Sequence, residues 1–296
     1  MKIRTFAYIM YASIATFALI GFGTVAKAAS PSNQTATASS TFAMMPQVRK
    51  LIPSGAVITA EGKNKTSFVS MDLNFDGKTE YAVVYKYQPN KKLDPVPLAG
   101  TMIFNIKNGK VQKLWAKNGV VTPASMSVKD LLNNGKQEVI FKGVIGAMAN
   151  SYEILQDSNG KIKLIFQTSA YRMNIGDYNK SGVDQLVTWT QTVGDIYNIQ
   201  LYGWHKNTDR YTAISNNKAP NYFINTVIPY YNMLSKTKNG KEELKGIDYE
   251  LANAYFDAGN YTQALTEINN GLKLTNQPYP PTSQFRSLKS QIERAK

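Results

Sequence analysis

Asp72-Leu73-Asn74-Phe75-Asp76-Gly77-Lys78-Thr79-Glu80 is an acidic, glycine-containing loop that runs straight into YAVVYKY, and weaker copies begin at Asp130 and Asp177. The three copies align as SMDLNFDGKTEYAVVY, SVKDLLNNGKQEVIFKG and NIGDYNKSGVDQLVTWT. Internal repetition of this kind fixes the architecture before any single residue can be interpreted. Each loop leads into β-branched and aromatic runs, which read as strands. A turn then separates two such runs: Asn108-Gly109, Asn159-Gly160 and, in the third copy, Lys206-Asn207-Thr208-Asp209. Asn-Gly suits the two positive-φ positions of a type I′ turn, so a hairpin is predicted at each. The unit is loop, strand, strand, hairpin, strand. Leading acids 58 and 47 residues apart fit a four-stranded blade.

On these residues the chain resembles FG-GAP/VCBS repeats, the blades of integrin-type β-propellers, over roughly 57–215. The resemblance implies a β-propeller-like domain whose loops hold calcium. Ca²⁺ takes six to eight oxygen ligands, several of them charged. The first loop offers Asp72, Asn74 and Asp76 at positions 1, 3 and 5, the Lys78 carbonyl at 7 and Glu80 at 9. Val83 stands at position 12, where an EF-hand needs a bidentate acid, so the loop is not of that type. The second copy keeps Asp130, Asn134, Gly135 and Glu138 but puts Leu132 at position 3. The third has Asp177, Asn179, Ser181 and Gly182, with Gln185 at position 9 and Asp184 one place early. The same side chains also serve an ordinary role, in which Asp and Asn bond nearby backbone N–H groups and shape the turn. Both roles stay open. A closed propeller takes at least four blades, so either 54–62 helps to build a fourth sheet or the array is an open arc of three to four blades.

The two ends of the chain differ from this middle. Residues 1–28 have the form of a secretory signal peptide: Lys2 and Arg4, an apolar stretch over 6–20, then Ala26-Lys27-Ala28 as a cleavage site. The alternative is an uncleaved membrane anchor, the one case in which a membrane would be a partner. The chain has no cysteine, which excludes disulfides, thiolate metal sites and lipid attachment at the cleavage site. A cysteine-free exported chain of 296 residues points to a bacterial exterior, secreted or envelope-associated. Residues 29–45, small and polar, read as a flexible spacer. A β domain over 46–219 and a separate all-α domain over 220–296 follow.

The helical part is marked by a change of period from 2 to 3.6 after Pro220. YELANAYFDAGNYTQALTEINNGLKL, 249–274, resembles a tetratricopeptide repeat, with Leu251, Ala252 and Tyr255 on one helix, Gly259 and Tyr261 at the turn, and Ala264, Ile268 and Gly271 on the next. Asn260 is placed to cap the second helix. Residues 222–235 predict an apolar helix kinked or started by Pro229, and 283–295 a polar capping helix. One repeat cannot bury its own face. This end therefore either docks a protein partner or packs on the β domain.

The formal charge is +14; Lys2, Arg4 and Lys27 carry three of these, and 220–296 only +2, which leaves +9 over 29–219. Such a surface favours an anionic wall polymer or glycan, or it simply keeps the protein soluble. Nucleic acid is excluded as a partner by the lack of a basic tract and by the export signal. Catalytic constellations are sparse. His205 is the only histidine, no G-x-S-x-G elbow occurs, and Ser235-Lys236-Thr237-Lys238 lacks the companion motifs of the serine enzymes that share its spacing. Trp115, Trp189 and Trp204 read either as a sugar-stacking surface or, more simply, as core. The expectation is a non-enzymatic binding or scaffold protein without catalytic residues. A hydrolase of wall glycan or polyanion is the alternative from another class.

Overall fold

Positive φ at Asn108 and Gly109, and again at Asn159 and Gly160, folds the chain back at both Asn-Gly pairs, and Asp209 does the same at the third turn. The computed structural model describes residues 38–59, 67–88, 97–121, 124–146 and 149–296. The expected signal peptide and residues 29–37 of the spacer lie outside these. Each repeat is a four-stranded antiparallel meander. Its extra strand, not counted from the sequence, precedes the acidic loop.

The second sheet is β6 (Ala124–Lys129), β7 (Glu138–Gly146), β8 (Ala149–Ser158) and β9 (Lys161–Ala170), in that spatial order. The third is β10 (Arg172–Gly176), β11 (Gln185–Val193), β12 (Ile196–His205) and β13 (Arg210–Ile214). The first has β3 (Glu80–Tyr87), β4 (Leu98–Lys107) and β5 (Lys110–Val121), with its outer strand in two pieces. β2 (Phe68–Met71) pairs with one half of β3, and β1 (Val57–Ile58) with the other through Val57–Lys86. The 54–62 segment therefore extends the first sheet at Val57–Ile58 and does not found a fourth; its residues 60–62 lie outside the described ones.

Strand sequences such as EYAVVYKY lack apolar–polar alternation because both faces are covered. On β3, Ala82 and Val84 pack toward the second sheet, with Val139, Phe141 and Leu155. Tyr81, Val83 and Tyr85 face the other way. Between the second and third sheets lie Leu131, Ile140, Ile154, Ile165, Phe166, Leu186 and Tyr211. Ion pairs cross the same gaps: Lys117–Glu153 between the first two sheets, Lys129–Asp184 and Lys163–Asp209 between the last two. Among the described residues no core cluster joins the first sheet to the third, and no barrel or propeller ring closes. The sheets form a stack with two free faces.

Helices cover both. α1 (Ala38–Leu51) lies on the first sheet, burying Met44 and Val48, with Ile52 just past its end, against Tyr81, Val83, Tyr85, Met102 and Phe104. This corrects the spacer expected over 29–45, whose residues 38–45 belong to the helix. The reason is an apolar residue every fourth position, Met44-Val48-Ile52, which makes one stripe on a helix. The chemistry of Gln47 assists: its side-chain amide donates to the Gly109 carbonyl and accepts from Val111 N–H, pinning the helix to the first hairpin.

At the far end, a 3₁₀ turn (Asn216–Lys218) leads into α2 (Pro220–Tyr222), a π segment (Phe223–Val227) and α3 (Ile228–Leu234), one continuous helical run. The widened turn sits just before Pro229, whose ring crowds the carbonyl four residues back, so the expected kink is taken up there. α4 (Lys238–Glu242), α5 (Leu244–Asp257), α6 (Tyr261–Lys273) and α7 (Thr282–Ala295) follow. α5 and α6 form the expected hairpin, with Gly259 at positive φ and the Asn260 side chain accepting from Gln263 N–H. Phe285, Leu288 and Ile292 of α7 close its second face against Ala252, Ala264 and Ile268. The helical end also shares one core with the third sheet: Val187, Trp189, Ile199 and Leu201 pack with Tyr222, Phe223, Tyr231, Ile247 and Leu251. Gly246 lets α5 approach closely, since a Cβ there would lie 2.3 Å from Ile196 Cδ1. The change at 219/220 is thus one of secondary structure within a single compact unit, Ala36–Lys296. Among the described residues no helix is long and apolar enough to cross a membrane.

Candidate functional site

The three acidic loops repeat one set of bonds atom for atom. In the first, Asp72 Oδ1 accepts from Asp76 N–H (3.2 Å) and Oδ2 from Gly77 N–H (2.9 Å). In the second, Asp130 accepts from Asn134 (3.1 Å) and Gly135 (2.9 Å); in the third, Asp177 accepts from Ser181 (2.8 Å) and Gly182 (2.9 Å). The loop makes this possible by a left-handed residue at position 4 (Phe75, Asn133, Lys180) and a left-handed glycine at position 6 (Gly77, Gly135, Gly182). The glycine is required there because L side chains rarely adopt that conformation.

Position 9 closes the loop from the strand side. Glu80 Oε2 accepts from Leu73 N–H at 3.0 Å and Glu138 Oε2 from Leu131 N–H at 2.8 Å. Gln185 Oε1 takes the same place, accepting from Tyr178 and Asn179 N–H at 2.7 and 3.0 Å. All three side chains are buried. In the sequence Gln185 marks a departure of the third loop from the acidic pattern at position 9. Its conserved geometry shows position 9 acting as a buried acceptor, a task that an amide performs as well as a carboxylate.

Successive loops also touch. A Cβ on Gly135 would meet the Phe75 ring at 3.8 Å, and one on Gly182 would meet Asn133 Nδ2 at 3.7 Å. The position-4 side chain of each loop therefore lies over the position-6 glycine of the next. Asp184 N–H reaches across to the Leu131 carbonyl (2.8 Å) and the Tyr211 hydroxyl to the Asp184 carbonyl (3.1 Å).

Of the predicted cation ligands, Asp72, Asn74 and Asp76 share one exposed turn. Asn74 Oδ1 accepts from Asp76 N–H (3.0 Å), and Asp76 takes both the Lys78 N–H (2.8 Å) and its ammonium (3.0 Å). Those contacts with Lys78 hold the Asp76 carboxyl below its ordinary pKa. Glu80 lies apart, buried and committed to Leu73. Among the described residues no three Asp, Glu, His or Cys side chains converge as a metal site would require.

Burial has the opposite effect at position 9. It raises the Glu80 carboxyl and pushes Glu138 up to about 7, against the Leu131 N–H bond and the Gln156 amide (2.9 Å), which lower it. An acid raised in the folded state binds its proton more tightly there than in the unfolded chain. Its stabilising contribution is complete below about pH 4.5 and is lost as pH rises through about 7. Glu138→Gln, which copies the third loop, should fold normally and flatten the fall in Tm between pH 6 and 8.5. About 1.5 kcal/mol falls within that window, hence roughly 3–6 °C. Glu138→Ala leaves Leu131 N–H and the Gln156 amide unpaired and should cost about 1–3 kcal/mol at pH 6. Equal losses for Gln and Ala, read by urea titration, would refute the acceptor role.

The remaining sequence candidates are structural. His205 ends β12 exposed, with Nδ1 3.2 Å from Thr208 Oγ1. Ser235 donates to the Asn232 carbonyl, and Thr237 caps α4 by accepting from Gly240 N–H. Trp189 is fully buried, Trp115 stacks on Phe141 between sheets, and Trp204 packs edge-on to Tyr211. Trp189 thus belongs to a core, whereas Trp115 and Trp204 are half-buried. Sequence reading missed a second acidic place: Glu250 and Asp257, on one side of α5, line a cavity of about 310 Å³ against β12 and the π segment. Their spacing of seven, with Asn253 between, was the available signal. No known protein-family model matches the chain, and no curated protein matches it.

Proposed function

We propose that the protein is an exported, non-enzymatic binding scaffold, built as an open propeller-like array of FG-GAP/VCBS-type blades with a tetratricopeptide-like helical end. The observation that carries this reading is the identical bonding of the three loops. Their carboxylates and amides are spent on backbone N–H groups, as a repeated scaffold module needs and a set of reactive acids does not. Protein contact would be made by the helical end, where Ile224 and Met233 are exposed large apolar side chains of the run over 220–234.

The test is a pull-down from the producer's envelope fraction with the full chain and with Ile224→Glu/Met233→Glu. A protein retained by the parent and lost by the equally stable double variant supports the reading. Identical capture by both, or turnover of a wall glycan by the parent, overturns it.

Calcium belongs to this proposal at the first loop alone. Asp72, Asn74, Asp76 and the Lys78 carbonyl would hold the ion, which would stiffen the turn and neutralise its acids; Glu80 would have to leave Leu73 to join them. The Lys78 ammonium competes for Asp76. Millimolar Ca²⁺ should therefore raise Tm, Asp72→Ala and Asp76→Ala should abolish the rise, and Lys78→Ala should enlarge it. No rise in the parent removes calcium from the account.

A second reading, binding of an anionic wall polymer or glycan, has one specific support. Arg172 lies 3.5 Å over the Trp189 ring beside Tyr230, and its Nε has no hydrogen-bond partner. Loss of heparin or teichoic acid binding in Arg172→Gln would favour it.

A further inference from the structure

The cavity between the third sheet and α5 has a chemistry that runs against that of the whole chain. The protein has 34 basic and 20 acidic residues. Yet the lining of this cavity of about 310 Å³ contains two carboxylates and no lysine, arginine or histidine. Glu250 and Asp257 stand seven residues apart on α5, two turns or about 10 Å along the axis. Asn253 lies between them, and Asn198 of β12 and Asn216 of the 3₁₀ turn face them. Asp257 has one fixed partner, the Asn216 amide at 3.0 Å. Among the described residues neither carboxylate has an ion pair.

Carboxylates partly withdrawn from water without a cation are costly, and proteins ordinarily pair them. Here burial pushes Glu250 up to about 8 and Asp257 up to about 6. The apolar walls, Ile199, Phe223 and Val227, suit a methylene chain. The volume is at the lower end of small-molecule sites.

We propose that this cavity is a binding site for a small aliphatic diamine, one ammonium on Glu250 and the other on Asp257, with the carbon chain against the apolar wall. The site is independent of the loops and of the scaffold reading. The other titratable groups around Glu250 are Tyr249 on its own helix, Tyr231 of α3 and Tyr279 from the connection before α7; β12 and the π segment bring none to the cavity. An ammonium entering beside Glu250 draws its carboxyl down, so binding releases a proton near neutral pH.

Isothermal titration of the full chain with 1,4-diaminobutane, n-butylamine and 1,4-butanediol at pH 7.5, in two buffers of different ionisation heat, tests this. The diamine should bind with net proton release, the monoamine at least 10-fold more weakly, and the diol not at all. Glu250→Gln should cut diamine affinity at least 10-fold and remove most of the proton release; Asp257→Asn should reduce affinity with the release retained. If Glu250→Gln does not fold, Thr192→Lys, which brings the protein's own ammonium to the exposed rim, should abolish diamine binding. Absence of binding at millimolar diamine, equal affinity for diamine and diol, or unchanged binding in the folded Glu250→Gln or Thr192→Lys protein each overturns the proposal.

Discussion

A chain ended at Ala219 is expected to be insoluble or molten, although 46–219 contains every strand of the three repeats. The outer face of the third sheet presents Val187, Trp189, Ile199 and Leu201, and all of them are buried by helices that follow Ala219. Truncation would place these side chains in water, at about 1.5–3 kcal/mol for each large residue. The total, about 9–18 kcal/mol once Tyr197 and the sheet-side share of Ile196 are included, is as large as the whole stability of an ordinary domain, about 5–15 kcal/mol. Three tyrosine hydroxyls that tie the parts together go as well: Tyr231 donates to the Tyr197 carbonyl (2.8 Å) and accepts from its N–H (3.0 Å), Tyr222 accepts from Trp189 Nε1 (2.7 Å), and Tyr230 donates to the Asp195 carbonyl (2.8 Å). Soluble expression with a sharp, cooperative melt would show that 46–219 is a domain in its own right. Dye binding with retained far-ultraviolet strand signal is the expected result.

Trp189→Ala should be the most damaging single substitution, at about 3–5 kcal/mol. The indole is fully buried at the centre of the shared core, edge-on to Tyr230 at 5.1 Å and to Tyr197 at 5.9 Å. Its loss opens a cavity, removes the partner of the Tyr222 hydroxyl and takes away the surface on which Arg172 lies. Three separate contributions fail together. Trp189→Phe keeps the aromatic packing and loses the N–H bond, so roughly 1–2 kcal/mol is expected. Urea denaturation measures both; a loss under 1 kcal/mol for Trp189→Ala would mean that helices and sheet are not one cooperative unit.

Sequence carried much of this architecture because the repeat speaks through turns. Two Asn-Gly pairs and three Asp-to-Gly loops have backbone demands that few residues satisfy, and the chain meets each demand where those residues stand. The strands before the loops were harder to see. FVSM and RMNIG are short and half-buried, with no strict alternation, so no local pattern separates them from connecting segments. α1 was missed for another reason: Pro46 and a run of small polar residues obscure the Met44-Val48-Ile52 stripe, which acquires meaning only from the aromatic face of the first sheet. Helix boundaries fared better. Asn260 announces α6 by its own side chain, whereas the burial of Phe285 against Gly271 depends on a segment 14 residues away.

The loops also show why ligand-like patterns mislead. Asp at position 1, Gly at 6 and an acceptor at 9 are what a cation would select, and also what the turn selects by itself. Gln185 separates the two pressures, because it keeps the turn while giving up the charge. Glu250 and Asp257 were overlooked for the converse reason. They sit in a helix whose other residues announce packing, and only the facing strand and 3₁₀ turn make their side a cavity.

In a closed ring the number of blades is dictated by the angle each must subtend. Here each loop lies on its neighbour by the same position-4 to position-6 contact, and the two outer faces are sealed by helices instead of by each other. Length is therefore a free variable for this architecture. A tandem duplication of 124–170 would meet the first and third sheets through joints already in use and leave both seals untouched; only the joint between the two copies would be new, so this design can change length by whole sheets without having to close a ring.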